Sequence, residues 1–423
     1  MKRILNKGDR IMSERKEVIL IGAGKIGRGM SVQTFREAGY HIVFFCHHLE
    51  QAKALREQGY YTNFMVDSKG NFSEEVIDDY EAYATIGEYD YCVERLSKAK
   101  LAMAQLYPNA FQSVGELVGD TVKKRVADGI DYPLDVLIGV NANGADKVIY
   151  KAALERLNTP EEKEYLEKKI GLSIAIPMTL GADPSPEMLA KDPLANYCGK
   201  VERQLQFDLD ALKGTAPEGK FLLPLHKMAE RMIYKLWTSN LRHCGFGFLT
   251  DHKGYTDTYD AKDDMEVQQG AIAGLDESMY GFFHTYDLTP AEIAEATPGQ
   301  PEGDNRNRQK SAAHDSIRRI CRDPIRKLGR TERFTGPAIA CMKAGKIPFF
   351  ITRIMACVMD YKDDNDPKAV EIQEFIKENG VEKAIVKFCE LNMDDPDEKR
   401  VMELVASHYH LMKLTDPDNI RID

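Results

Sequence analysis

The sequence predicts an α/β protein: a doubly wound parallel-sheet domain followed by an all-helical C-terminal domain. Three observations carry that reading. The first half alternates short β-branched apolar runs with segments of helical periodicity, the pattern of a parallel sheet covered on both faces. One apolar strand, Glu17-Val-Ile-Leu-Ile, runs straight into a glycine-spaced turn, Gly22-Ala-Gly24-Lys-Ile-Gly27. From about Leu222 the apolar spacing is mostly helical.

Taken in order, residues 1–16 are basic and polar without the apolar core of a secretory signal, and are expected to be a disordered extension. Val18 to Gly22 reads as a strand and about Arg28 to Glu37 as a helix. His41 to Cys46 is a second buried strand, rich in β-branched and aromatic residues, followed by helical spacing from Leu49 to Gln58. Val136 to Val140 is a further apolar strand ending at Asn141-Ala-Asn143-Gly. In the second half Leu225 to Leu241, Met265 to Thr285 and Ala369 to Asn379 show helical spacing. Thr289-Pro290 is a helix start, Asp323-Pro324, Asp366-Pro367 and Asp395-Pro396 mark turns, and Pro298 to Asp304 is a loop. These shifts place a domain boundary near residue 215, giving a dinucleotide-type domain at 17–215 and a helical substrate domain at 216–423. The Lys235 helix is expected to open the second domain and face the first.

A chain of 423 residues suits two domains, and 43% apolar with 29% charged residues is a globular composition. No stretch approaches 18 uncharged apolar residues, so no membrane span is expected. A net charge of −10 argues against a nucleic-acid partner. The eight cysteines are scattered with no CxxC pair, which suits reduced thiols in a cytoplasmic enzyme rather than disulfides or a zinc site. No heptad or repeat points to an oligomer.

The three glycines have separate jobs. Gly22 turns the chain off the strand, Gly24 lets backbone approach a pyrophosphate, and Gly27 lets the following helix pack close. Phosphates then sit at a helix N-terminus, where free N–H groups and the dipole favour negative charge. The context of strand, turn, helix and second strand predicts a Rossmann-type dinucleotide site, the alternative being a glycine-rich turn in an α/β protein that binds something else or nothing. The position where NAD-binding folds carry Asp or Glu holds Cys46, followed by His47 and His48. Without the carboxylate a 2′-phosphate is not repelled and the histidines could receive one, while Glu50 could supply the missing contact. NAD(H) and NADP(H) both remain open on the residues alone.

Lys235-Leu-Trp-Thr-Ser-Asn240-Leu-Arg-His243 reads as helix. At about 100° per residue its Lys, Asn and His fall near about 0°, 140° and 80°, so all three can point one way. A lysine whose pKa is lowered by burial can exchange a proton with an alcohol oxygen, and Asn and His can hold that oxygen. The competing reading is three solvated or capping residues on an amphipathic helix. Between Arg318 and Arg333 lie Arg318, Arg319, Arg322, Arg326, Lys327, Arg330 and Arg333, opposed only by Asp323 and Glu332. In an acidic chain this is either a phosphate or carboxylate clamp or a solvated, ion-paired helix face.

Three blocks carry a family resemblance: Gly22 to Gly29, the Lys-x4-Asn-x2-His of Lys235, Asn240 and His243, and Arg322 to Arg333 followed by Gly336-Pro-Ala. Gly254 to Ala261 agrees as well. Together they resemble the polyol-specific long-chain dehydrogenase/reductase, or mannitol dehydrogenase, family, and most of all its mannitol 1-phosphate branch. The resemblance implies a Rossmann-type domain plus a helical domain, no metal, NAD(H) in preference to NADP(H), and a monomer. It implies reversible conversion of mannitol 1-phosphate and fructose 6-phosphate. Lys235 would be the general acid/base, with Asn240 and His243 orienting the oxygen. Asn141 would complete the site, with Asn143 a one-step alternative. Gly22, Ala23, Gly24, Lys25, Ile26, Gly27, Cys46 and His47 would meet the cofactor, as would Ser113, Val114 and Gly115 in a loop after the fourth strand. Arg322, Arg326 and Arg333 would meet the substrate anion or shape the site. Departures at Cys46, at Ile174 to Pro186 and across Tyr61 to Pro108 leave other substrates open. These are an unphosphorylated polyol, fructuronate or tagaturonate, or a β-hydroxyacid, and a non-catalytic dinucleotide sensor is the reading from another class.

Overall fold

The computed structural model describes residues 16–67, 70–139, 144–177, 179–201, 204–296 and 315–415. The expected extension before Lys16 and the Pro298 to Asp304 loop lie outside them, as do Asn141 and Asn143. The chain divides into two compact units, one up to Ala229 and one from Glu230.

The first unit holds twelve described strands. They are β1 (Glu17–Ile21), β2 (His41–Cys46), β3 (Tyr61–Asp67), β4 (Phe72–Ile77), β5 (Tyr80–Ala84) and β6 (Leu101–Ala104), then β7 (Leu134–Gly139), β8 (Ile170–Pro177), β9 (Leu180–Ala182), β10 (Asn196–Val201), β11 (Leu205–Asp208) and β12 (Leu222–Leu225). Its helices are α1 (Val32–Glu37), α2 (Leu49–Gln58), α3 (Tyr89–Ser97), α4 (Phe111–Ala127), α5 (Ala145–Arg156), α6 (Pro160–Lys169) and α7 (Pro186–Lys191). The main sheet has the order β12-β11-β8-β7-β6-β1-β2-β5. From β8 to β5 all neighbours are parallel. Numbered along the chain, those six strands lie 3-2-1-4-5-6, the doubly wound dinucleotide-binding order, whose ligand crevice opens where the order reverses between β1 and β6.

Both sheet faces are buried, as parallel sheets require. Val18, Leu20, Ile42 and Phe44 fill one core layer, and Ile19, Ile21, Val43 and Phe45 fill the other. The alternation follows from the two-residue period of a strand. Beyond β8 the sheet continues with β11, antiparallel to β8, and β12. Since β12 belongs to this sheet, the first unit runs past the expected division at 215.

A second sheet, β4-β3-β10-β9, was not anticipated. It draws β3 and β4 from the Tyr61 to Pro108 stretch and β9 from the Ile174 to Pro186 stretch. The two segments that depart from the family resemblance therefore converge on one structure.

The second unit contains α8 (Met228–Lys235, entering from the first), α9 (Leu241–His252), α10 (Met265–Thr285), α11 (Pro290–Glu295), α12 (Ile317–Cys321) and α13 (Pro324–Leu328). It continues with α14 (Thr335–Lys343), α15 (Phe349–Asp360), α16 (Pro367–Asn379), α17 (Val381–Phe388) and α18 (Pro396–Thr415). No strand appears among its described residues. Asp323-Pro324, Asp366-Pro367 and Asp395-Pro396 each place their proline as the first residue of a helix, α13, α16 and α18, where a missing N–H costs nothing. Thr289 caps α11 in a reciprocal bond with Glu292. All eight cysteines are buried thiols, and no helix of the described residues is long and apolar enough to cross a membrane.

Candidate functional site

The glycine turn sits at the C-terminal end of β1. Gly22 has φ +105°, and a Cβ there would lie 2.5 Å from the Gln105 carbonyl oxygen. A Cβ on Gly27 would lie 2.2 Å from the Gly22 carbonyl oxygen, so only glycine lets the next helix start this close. A Cβ on Gly24 would meet nothing within 4 Å, which is the open approach a pyrophosphate needs. The carbonyls of the turn are held by protein donors. Ala23 O accepts from Arg28 Nε (3.1 Å) and Gln51 Nε2 (2.9 Å), and Lys25 O accepts from Asn196 Nδ2 (3.0 Å) and Cys198 Sγ (3.2 Å). The second sheet thus supports the turn from below through β10.

That support explains a glycine the motif does not require. A Cβ on Gly29 would stand 2.1 Å from Cys198 Sγ. The helix is distorted there into a π-turn, Gly27–Ser31, with Gly29 at φ −95°, ψ −106°. Gln105, the first residue after β6, lines the switch point. Its Oε1 accepts from Ser31 Oγ at 2.7 Å, and its buried Nε2 has no hydrogen-bond partner among the described residues. Open space at Gly24 and the orphaned Gln105 amide at the switch point fit a bound dinucleotide.

Other expected cofactor residues are placed differently. The Cys46 side chain is packed in the core, and burial pushes its thiol up to about 12. His47 and His48 are exposed just beyond it. Residues 112–115 are not a loop but the first turns of α4. Ser113 is exposed, Val114 is in the core, and a Cβ on Gly115 would lie 2.4 Å from Ala152 Cβ on α5. Gly115 therefore serves helix packing. Lys25 is paired with Asp183 at 2.5 Å.

In the second unit α8 passes into α9 through a π-turn, Leu236–Asn240, in which Leu241 N–H bonds to Leu236 O. This turn spans five residues per hydrogen bond, the spacing of Lys235 and Asn240, and such turns cluster at functional sites. Hydroxyls satisfy carbonyls along it: Thr238 Oγ1 donates to Tyr234 O and Ser278 Oγ to Trp237 O, both at 2.6 Å. Burial lowers the Lys235 ammonium to about 8. His243 Nε2 lies 3.4 Å from Asp315 Oδ2. Loss of water contact lowers the His243 pKa against the opposing pull of Asp315, and Arg319 and Arg333 add to the fall.

The same segment meets the basic stretch. Trp237 Nε1 donates to Thr331 O at 3.2 Å, and Arg333 Nη1 approaches Cys244 Sγ at 3.3 Å. A Cβ on Gly336 would lie 2.7 Å from the Trp237 ring, so glycine permits that closure. Of the three expected arginines, Arg333 is buried with Glu332 beside it, Arg326 is exposed and paired with Asp323 at 2.8 Å, and Arg322 is exposed. Arg319 and Arg330 are taken up by Asp315 and Glu398. Lys327 is 4% exposed, and burial lowers its ammonium to about 8. Sequence reasoning missed Asp315, Gln105 and the π-turn, and it named Lys327 only as one of the seven basic residues of a candidate clamp. Among the described residues no three His, Cys, Asp or Glu side chains gather as metal ligands.

Residues 16–179 match the mannitol dehydrogenase Rossmann domain. The mannitol-1-phosphate 5-dehydrogenase of Bacillus licheniformis is 26% identical over 389 residues, covering 92% of this chain and 98% of that one. The enzyme of the same name from Anoxybacillus flavithermus is 25% identical over 382 residues, covering 89% and 95%.

Residues 16–179 thus carry a mannitol dehydrogenase-type Rossmann domain.

Among solved structures, Pseudomonas fluorescens mannitol 2-dehydrogenase in complex with NAD and D-mannitol superposes with a TM-score of 0.71 at 14% identity, covering 96% of this chain and 92% of that one. A D-sorbitol dehydrogenase gives the same score and identity, covering 95% and 93%. Both share the fold. The mannitol dehydrogenase fold thus accounts for the Rossmann-type sheet and the helical unit together.

Proposed function

We propose that this chain is a mannitol dehydrogenase family member that interconverts mannitol 1-phosphate and fructose 6-phosphate with a nicotinamide dinucleotide, using Lys235 as general acid/base. The observation that carries the reading is Lys235 itself: burial draws its ammonium to about 8, at the head of a π-turn that also carries Asn240 and leads to His243. A general acid/base works best with a pKa near the working pH. The likeness to mannitol-1-phosphate 5-dehydrogenases along nearly their whole length supports the substrate.

When bound, the nicotinamide gives or takes the hydride at the carbon. In ketose reduction the Lys235 ammonium delivers a proton to the carbonyl oxygen, which becomes the hydroxyl. In polyol oxidation the neutral amine removes that proton. Asn240 and His243 hydrogen-bond the oxygen as its charge develops, where fixed donors act most strongly. Asn141, or Asn143 one step on, is assigned to the same oxygen. Gly22, Ala23, Gly24, Lys25, Ile26 and Gly27 hold the pyrophosphate. For the substrate anion we assign Arg322, Arg326 and Arg333, joined by Lys327. The protein is taken to be a metal-free, monomeric, cytoplasmic enzyme.

Replacing Lys235 by Ala tests the role. Turnover should fall by about 10²–10⁴ while dinucleotide affinity is unchanged. Retained turnover contradicts it.

A further inference from the structure

We propose that His47 and His48 form a receptor for the 2′-phosphate of the cofactor, so that the chain binds NADPH as well as NADH. The inference rests on the dinucleotide reading above and extends it to the adenosine end.

The strand-end carboxylate of NAD-binding folds does two things: it binds the ribose hydroxyls and repels a 2′-phosphate. Here β2 ends in Cys46, whose side chain is directed into the core and wholly buried. At that position the chain presents neither a ribose acceptor nor a repelling charge. The next two side chains are both imidazoles, both exposed, with ring centroids 4.4 Å apart in an edge-to-face arrangement. Two adjacent ring N–H donors suit a phosphate.

The backbone that presents them is pinned. Thr85 donates to Cys46 O through both N–H (2.9 Å) and Oγ1 (3.3 Å), and Ile86 N–H donates to His47 O at 3.2 Å. Two bonds join this edge to the phosphate turn: Gly22 N–H to Phe45 O at 2.9 Å, and Gln51 Nε2 to Ala23 O at 2.9 Å. The histidines therefore keep a set distance from the pyrophosphate site. Two carboxylates stand near this edge. Glu88 is occupied by Arg56 at 3.0 Å and by the Ala84 N–H at 2.9 Å. Glu50 stands in the first turn of α2, with Lys53 one turn further on.

Calorimetric titration of the full chain with NADH and NADPH tests this without any polyol, and 2′,5′-ADP against 5′-ADP isolates the phosphate. The expected result is an NADPH Kd within about tenfold of that for NADH. In the His47→Ala, His48→Ala double variant the affinity for NADPH relative to NADH, and for 2′,5′-ADP relative to 5′-ADP, should fall by about tenfold or more, the loss of charge-assisted contacts to one phosphate. NADPH binding beyond that tenfold range, or equal weakening of both cofactors, overturns the inference. Binding of NADH alone would leave the dinucleotide site standing, and binding of neither would remove both.

Discussion

Asp315 Oδ2 lies 3.4 Å from His243 Nε2, and the same carboxylate is held by Arg319, whose Nε donates to Oδ1 at 2.6 Å. One acidic residue thus orients the histidine proposed to hold the reacting oxygen and ties it to the basic stretch. The partner on one ring nitrogen decides what the other can do. Asp315 raises the His243 pKa against burial, so Asp315→Asn should lower it further. Proton NMR titration of the imidazole reads that shift. The rate constant kcat/KM should fall by about tenfold, the worth of one charge-assisted hydrogen bond of about 1.5 kcal/mol.

Lys235 gives the rate a pH dependence with a definite sign. Its ammonium is present below about 8 and its amine above. Ketose reduction, which needs the acid, should decline as pH rises through that value, and polyol oxidation should increase. The two profiles, measured as kcat/KM in each direction, should cross over the same interval, and an unchanged profile in both directions would point to another base.

The glycine turn predicts a split between folding and binding. Gly27→Ala puts a Cβ 2.2 Å from the Gly22 carbonyl oxygen and should lower the melting temperature as well as cofactor affinity. Gly24→Ala meets nothing within 4 Å and should leave stability nearly unchanged while weakening the dinucleotide. Thermal denaturation with and without NADH separates the two variants.

Lys327 predicts an unusual combination. Its ammonium falls from 10.5 to about 8 because it is buried, so between those values the unfolded chain holds a proton the folded chain has lost. Stability must then rise with pH across that window. Lys327→Met should flatten part of this rise and preserve or increase stability below pH 8, since a buried cation is removed. If Lys327 serves the anion, KM for the phosphorylated ketose rises at the same time. Denaturant titrations across the pH range and steady-state kinetics check both halves.

Much of the first unit was legible because its strands are continuous apolar runs buried on both faces, and its turn carries glycines with steric reasons. His41–Cys46 and Leu49–Gln58 fall where periodicity put them. The second sheet was not legible: β4 is mostly exposed and polar, and β9 has three residues, too few for a period. The stretch from Gln112 to Gly115 read as a loop because the family resemblance implies a cofactor-contacting loop after the fourth strand. Here Gly115 and Gly119 are where α5 comes closest, with Ala153 O 2.7 Å from a Cβ on Gly119. At the segment proposed to be catalytic the Lys, Asn and His were visible, but the π-turn was not, because an α-helix was the default geometry. Asp315 and Lys327 act through contacts between segments more than 70 residues apart, which spacing along the chain does not encode.

The measurement that bears most directly on the central claim is the initial rate of NADH oxidation with fructose 6-phosphate beside unphosphorylated fructose. A rate with the phosphorylated ketose that exceeds that with fructose by about a hundredfold in kcat/KM, a difference of about 2.7 kcal/mol from anion contacts, is the expected result. Equal rates with both sugars, or none with fructose 6-phosphate, would contradict it.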